Sequence, residues 1–84
     1  MSNEMTTTLT AAPGGIMTDE VGVITGEVEI RSTVTDSGQA TAQTRYAGAD
    51  EWYTITEAAA HLAAPTELPI YHTKLVAKYL GPEQ

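Results

Sequence analysis

The sequence predicts an α+β fold. We expect an antiparallel β-meander of three or four strands, covered on one face by one or two C-terminal helices and preceded by a disordered N-terminal tail. Three observations support this prediction. Residues 27–46 alternate polar and apolar side chains with a period of two, which is typical of strands with one buried face. Residues 70–80 repeat apolar side chains at helical spacing, and residues 1–20 show no sustained period.

The alternating region consists of two strand-like segments, EVEIRSTVT and QATAQTRY, separated by the residues DSG at 36–38. A two-residue turn would set apolar against polar side chains, with Val34 opposite Thr41. A three-residue loop keeps like with like, because Val34 then faces Ala40 and Gly38 takes the left-handed position of the loop. This second register predicts the cross-strand pairs Val28–Tyr46, Glu29–Arg45, Ile30–Thr44, Arg31–Gln43, Ser32–Ala42, Thr33–Thr41 and Val34–Ala40.

The buried face of this hairpin carries small side chains at its centre, namely Ser32, Ala40 and Ala42. Small side chains allow another element to approach closely. Either the chain's own helix packs on this strip, which is the more common arrangement, or the strip is a groove for a partner or ligand.

The segments on either side of the hairpin supply the remaining elements. Residues 21–24 predict a short strand, and Gly26 predicts a bend after it. Residues 52–56 are rich in aromatic and β-branched side chains and predict a third meander strand, with Tyr53 and Ile55 facing inward in one of its two possible orientations.

Two helices are predicted after the meander. Residues 57–64 are rich in alanine, follow a threonine that can cap a helix, and end before Pro65. Residues 70–80 form the second helix, which Gly81 ends.

Composition sets limits on the fold and its stability. Residues 1–20 offer too little apolar surface to offset the entropy of ordering them, so we expect a flexible tail followed by a single small domain at 21–84. A domain of this size has a marginal core, and oligomerisation commonly stabilises such domains. The chain contains no cysteine, which excludes disulfides and thiolate metal ligands.

The net charge of −7 limits the range of partners. A chain this acidic is repelled by nucleic-acid phosphates and by anionic membranes, so we expect neither as a partner. No apolar run is long enough to span a membrane, and the N-terminus lacks the pattern of a signal peptide. These features predict a cytoplasmic protein whose partner is another protein, a second copy of itself, or both.

Catalytic motifs are absent from the sequence. It contains no glycine-rich phosphate-binding motif, no HExxH and no GxSxG. His61 and His72 are eleven residues apart, and their spacing does not require a shared site. We therefore name no catalytic residue, no metal ligand and no cofactor.

Candidate binding residues come from two patterns. The sequence DEWY at 50–53 joins two acids to two large aromatic residues, which is typical of interface anchors but is more often a polar turn entering a strand. Arg45 shares the polar hairpin face with Arg31 and can bind a carboxylate, although Glu27 and Glu29 on that face neutralise both arginines. The candidate binding residues are Arg45, Tyr46, Trp52, Tyr53 and His72.

Three functions are compatible with these patterns. The leading hypothesis is a small acidic, non-enzymatic protein-interaction or regulatory protein that acts as a homodimer or bound to a larger partner. The first alternative is an acidic inhibitor or nucleic-acid mimic that occupies a basic groove. The second alternative is a small enzyme or ligand-binding protein with its site between sheet and helix, which leaves open the question of enzymatic activity.

Overall fold

The computed structural model describes residues 3–81 and confirms the α+β class, with one helix at the C-terminal end. The strands are β1 (Glu4–Thr10), β2 (Ile16–Thr18), β3 (Gly22–Ile24), β4 (Glu27–Val34), β5 (Gln39–Tyr46), β6 (Tyr53–Thr54) and β7 (Ala60–His61). A 3₁₀ turn at Pro65–Glu67 leads into the helix α1 (Leu68–Tyr79).

The main sheet is antiparallel throughout. β1, β4, β5 and β6 lie side by side in that order, and β7 pairs with the first residues of β5. β3 confirms the short strand predicted near residues 21–24, and it pairs with β2 in a separate hairpin. Backbone hydrogen bonds of 3.0 Å, from Asp19 N to Thr54 O and from Thr56 N to Met17 O, attach this hairpin to the edge of β6.

The β4–β5 hairpin has the predicted register, pair for pair from Val28–Tyr46 to Val34–Ala40. Gly38 has a φ of +94°, which is the left-handed conformation expected at the end of a three-residue loop. On the polar face, Arg45 Nη2 lies 3.0 Å from Glu29 Oε1, so the predicted ion pair is also present. Period-two patterning and loop length were therefore sufficient to fix this part of the fold.

The structure corrects the prediction of a flexible tail over residues 1–20. β1 pairs with β4 along its whole length, and β2 also lies in this region. Met5, Thr7 and Leu9 point to the covered face of the sheet, opposite buried residues of β4. Threonine is β-branched and favours strands, so a segment with few apolar residues still forms one beside a sheet edge. Residues 1 and 2 lie outside the described residues.

The helix predicted at residues 57–64 is wrong. Glu57 has a φ of +61°, which interrupts a right-handed helix, and Ala60–His61 forms β7 against Gln39 and Ala40. Pairing with β5 overrides the helical preference of the alanines. The strand predicted at residues 52–56 is limited to β6, while Ile55 is buried as expected.

α1 packs on the covered face of the sheet. The main core cluster joins the sheet, the β2–β3 hairpin and the helix: Leu9, Ile16, Ile24, Val28, Ile30, Ala42, Ile55 and Leu75. A smaller cluster contains Val34, Ala40 and Leu68. The strip of small side chains is thus covered by the chain's own helix. After the helix, Gly81 N donates to Thr10 O at 2.8 Å, which joins the end of the helix to β1.

Candidate functional site

The five candidate residues lie in different parts of the sheet. Arg45 and Trp52 are on the uncovered face, and His72 belongs to α1 and points from it onto the opposite, covered face. Tyr46 and Tyr53 lie at the end of the sheet where β5 meets β6, and Tyr46 is exposed. The structure therefore does not bring the five into one pocket.

Two arginines and one tryptophan form a cluster on the uncovered face, which we call the Arg–Trp cluster (Arg31, Arg45 and Trp52). The guanidinium carbon of Arg31 is 4.1 Å from the centroid of the indole ring, and that of Arg45 is 4.4 Å from it. The sequence placed both arginines on the polar face and Trp52 outward in one orientation, so the signal for this contact was present although the contact itself was not predicted. The indole ring thus contacts both arginines of the polar hairpin face.

Removal of the indole ring is expected to destabilise the fold moderately. Each cation–π contact at a partly exposed site contributes about 0.5–1 kcal/mol, so we expect Trp52→Ala to lower the free energy of unfolding by about 1–2 kcal/mol. Urea denaturation followed by far-UV circular dichroism measures this change. Gln39→Ala, an exposed change on the same face, is the matched control, and an equal loss in both variants would show that the cluster contributes nothing specific.

His72 connects α1 to two strands of the sheet. Its side chain is 4% exposed. Nε2 lies 2.7 Å from Thr7 Oγ1 on β1, and Nδ1 lies 2.7 Å from Ser32 Oγ on β4. A neutral imidazole donates from one nitrogen and accepts at the other, so the two hydroxyl groups satisfy both ring nitrogens. Ser32 and Thr7 belong to distant segments, and sequence spacing gave no sign of this network.

A serine hydroxyl hydrogen-bonded to a histidine is also the arrangement of an activated nucleophile. Ser32 is fully buried, however, and its oxygen cannot be reached by a substrate in this conformation. In this conformation the His72 hydrogen bonds join α1 to β1 and β4.

The burial of His72 makes stability depend on pH. Burial lowers the pKa of His72 from its ordinary value of 6.5, because it disfavours the imidazolium. Above that value both the folded and the unfolded chain hold His72 neutral. As the pH falls below it, the unfolded chain takes up the proton first, so the free energy of unfolding decreases.

We expect this decrease between pH 7 and pH 5 in the native protein, and a smaller one in His72→Gln. Urea denaturation at several pH values measures both slopes. His61→Gln, a change at an exposed histidine, is the control for the loss of a histidine as such. The tested pH range stays above 4.5, the usual pKa of Glu20. Hydrogen bonds from Thr54 lower the pKa of Glu20 further, so the stability that these bonds contribute is lost only in solution more acidic than the tested range. Equal slopes in native protein and His72→Gln would contradict the assignment.

Two side chains of the DEWY sequence at 50–53 form a hydrogen bond with each other. Tyr53 Oη donates to Glu51 Oε1 at 2.9 Å, and this hydrogen bond raises the pKa of Tyr53. The tyrosine and the acid thus bind each other at the surface, which matches the polar-turn interpretation of this motif and leaves the anchor interpretation as a hypothesis.

Residues 3–81 were also searched for a metal site, a membrane-spanning helix and a surface depression. No three His, Asp or Glu side chains in that range are close enough to hold a metal ion. No helix of the described part is long and apolar enough to cross a membrane. An open depression of about 350 Å³ lies on the exposed side of α1, lined by Pro69, Ile70, Thr73 and Lys74. None of the five candidate residues lines it.

The outer edge of β1 is open along Thr6 and Thr8, whereas Thr10 O at the same edge accepts from Gly81 N. In an antiparallel ladder, alternate residues direct their amide and carbonyl groups to opposite sides. The bonds from Val34 N to Asn3 O and from Ala11 N to Gly26 O show that odd-numbered residues of β1 face β4. Thr6 and Thr8 therefore direct their backbone groups away from the sheet, and within residues 3–81 these groups have no hydrogen-bond partner.

Comparison of the chain with protein-family models, with curated proteins and with solved structures finds no significant match.

Proposed function

We propose that this chain is a small protein-interaction protein that forms a homodimer through the free edge of β1. The proposal depends on the outward backbone groups of Thr6 and Thr8, which have no hydrogen-bond partner among residues 3–81 and lie in a seven-residue edge strand. Edge strands of soluble proteins are usually protected by lysine, proline or a bulge. The strand EMTTTLT contains neither lysine nor proline, and it pairs with β4 without interruption.

The edge is complementary to a second copy of itself. Antiparallel pairing about a two-fold axis at Thr7 places Thr6 opposite Thr8 of the second copy, and the same bonds form twice. At Thr10 the edge is already bonded to the chain's own Gly81, whose N donates to Thr10 O at 2.8 Å, so the new ladder uses the outward groups of Thr6 and Thr8. Two five-stranded sheets then become one continuous sheet, which adds stability to a domain with a small core.

Thr6→Pro tests the proposal. Proline removes the outward N–H and places its ring at the edge, while the β1–β4 ladder does not use the Thr6 amide. Thr6→Val is the matched control, because it keeps both the amide and the β-branched shape. Sedimentation equilibrium over a range of concentrations gives the dimer dissociation constant of each variant.

We expect native protein and Thr6→Val to dimerise, and Thr6→Pro to weaken dimerisation by about 30-fold to 100-fold, the equivalent of two or three lost hydrogen bonds. Circular dichroism verifies that each variant is folded. A native protein that is monomeric at every concentration would contradict the proposal, as would undiminished dimerisation of Thr6→Pro.

A further inference from the structure

The β2–β3 hairpin has apolar side chains on both of its faces. One face is buried against the core through Ile16, Thr18 and Ile24. On the other face Met17 and Val23 are cross-strand partners and are 49% and 46% exposed. Val21, in the connecting turn, is 52% exposed. We call these three residues the Met–Val patch (Met17, Val21 and Val23).

The Met–Val patch differs from the other uncovered surface of the sheet. The outward side chains of β1 and β4 are threonine, glutamate and arginine, as expected for a strand face in water. The exposed side of β2–β3 instead presents a methionine beside a valine, although the hairpin already contributes its opposite face to the core. Exposed clusters of apolar side chains with a polar rim are typical of interaction sites.

Two carboxylates lie in the turn that carries Val21 and are held in place. Thr56 Oγ1 donates to Asp19 Oδ1 at 2.6 Å. Glu20 accepts from Thr54 N at 2.7 Å and from Thr54 Oγ1 at 2.8 Å, and these bonds lower its pKa. Both acids lie in the turn between β2 and β3, and no lysine or arginine precedes Arg31 in the sequence. The turn between the two strands of the patch therefore carries two fixed negative charges.

We propose that the Met–Val patch binds a basic amphipathic segment of another protein. Apolar side chains of the partner would contact Met17 and Val23, and its lysines or arginines would face Asp19 and Glu20. Methionine adapts its shape to different apolar surfaces, which suits this role. A second copy of this chain fits poorly on this surface, because it would bring two acidic turns, each with Asp19 and Glu20, against each other.

This surface is separate from the proposed dimer edge. The outward groups of Thr6 and Thr8 lie at the β1 edge of the sheet, whereas Met17 and Asp19 of the hairpin are hydrogen-bonded to the segment of β6 at the other edge. A homodimer formed through β1 would thus present two Met–Val patches, and each proposal can fail without the other.

The test uses a fluorescein-labelled synthetic helix of leucine and lysine, with the leucines on one face, and measures fluorescence anisotropy. A peptide of the same composition in scrambled order is the control for charge alone. Three double variants are compared: Met17→Thr with Val23→Thr, Asp19→Asn with Glu20→Gln, and Glu27→Gln with Asp36→Asn. The last removes two exposed acids away from the patch and is the matched control for net charge.

We expect the native protein to bind the amphipathic peptide better than the scrambled one. The apolar variant and the Asp19/Glu20 variant should each weaken binding by about tenfold, and the control variant by less than about twofold. Binding by Thr6→Pro should equal that of the native protein. Failure of the native protein to prefer the amphipathic peptide, unchanged binding by the apolar variant, or an equal loss in the control variant would overturn the proposal.

Discussion

Replacing His72 by alanine is expected to lower the free energy of unfolding by about 3–5 kcal/mol, a large part of the stability of a small domain. The change creates a cavity between α1 and the sheet. It also leaves the Ser32 hydroxyl, which is fully buried, without its partner on the helix. Urea denaturation at pH 7, followed by far-UV circular dichroism, gives the loss directly.

Two further variants separate the hydrogen bonds of His72 from its volume. Thr73→Ala changes the exposed neighbour on the same helix and should cost less than about 0.5 kcal/mol. His72→Leu combined with Ser32→Ala removes the polar groups of both partners and should recover part of the loss, because no buried serine hydroxyl then remains unpaired. A loss below about 1 kcal/mol in His72→Ala would show that the network does not hold the helix.

Gly38→Ala is expected to cost about 3–4 kcal/mol. Gly38 has a φ of +94°, where a side chain adds about 1–2 kcal/mol of strain. Its Cβ would also overlap the carbonyl oxygen of Leu62. Because Leu62 N donates to Gly38 O at 2.7 Å, moving that segment away sacrifices a hydrogen bond beside β7.

Gly48→Ala is the matched control for Gly38→Ala. Gly48 has a similar φ of +83°, but a Cβ there would meet no atom within 4 Å. We therefore expect only the conformational cost of about 1–2 kcal/mol. Thermal and urea denaturation of both variants measure the difference, and equal losses would show that the contact with Leu62 is easily relaxed.

The β4–β5 hairpin could be predicted to the register because its local signals agree. Alternation places Val28, Ile30 and Val34 on one face, and only one loop length keeps their partners apolar or small. The glycine in the loop also has the expected backbone conformation. The C-terminal helix could also be predicted, because its apolar spacing and the glycine that follows its end, Gly81, both appear in the sequence.

The missed elements depend on distant partners. β1 has only Met5 and Leu9 as apolar side chains, so its period is weak until β4 is present beside it. Conversely, the alanines at 58–60 carry a helical preference that the pairing of β7 with β5 overrides. Propensity is a weak guide in short segments whose conformation is set by tertiary contacts.

The contacts of the candidate residues could be predicted only in part from the sequence, for a similar reason. Arg45 and Trp52 were selected separately, and their contact requires the fold to place them on one face. His72 was selected as a binding residue, whereas its partners Thr7 and Ser32 were not, because a hydroxyl has no signature until it is buried beside an acceptor or donor. The free edge of β1 could not be predicted while residues 1–20 were expected to be flexible.

Amide hydrogen exchange at β1, measured by NMR at increasing protein concentration, tests the proposed dimer most directly. Thr7 and Leu9 face β4, so their amides should be protected at every concentration. If two β1 edges pair, the amides of Thr6 and Thr8 should exchange quickly in dilute solution and become protected as the dimer forms. Fast exchange of Thr6 and Thr8 at concentrations where sedimentation shows a dimer would place the interface elsewhere and contradict the proposal.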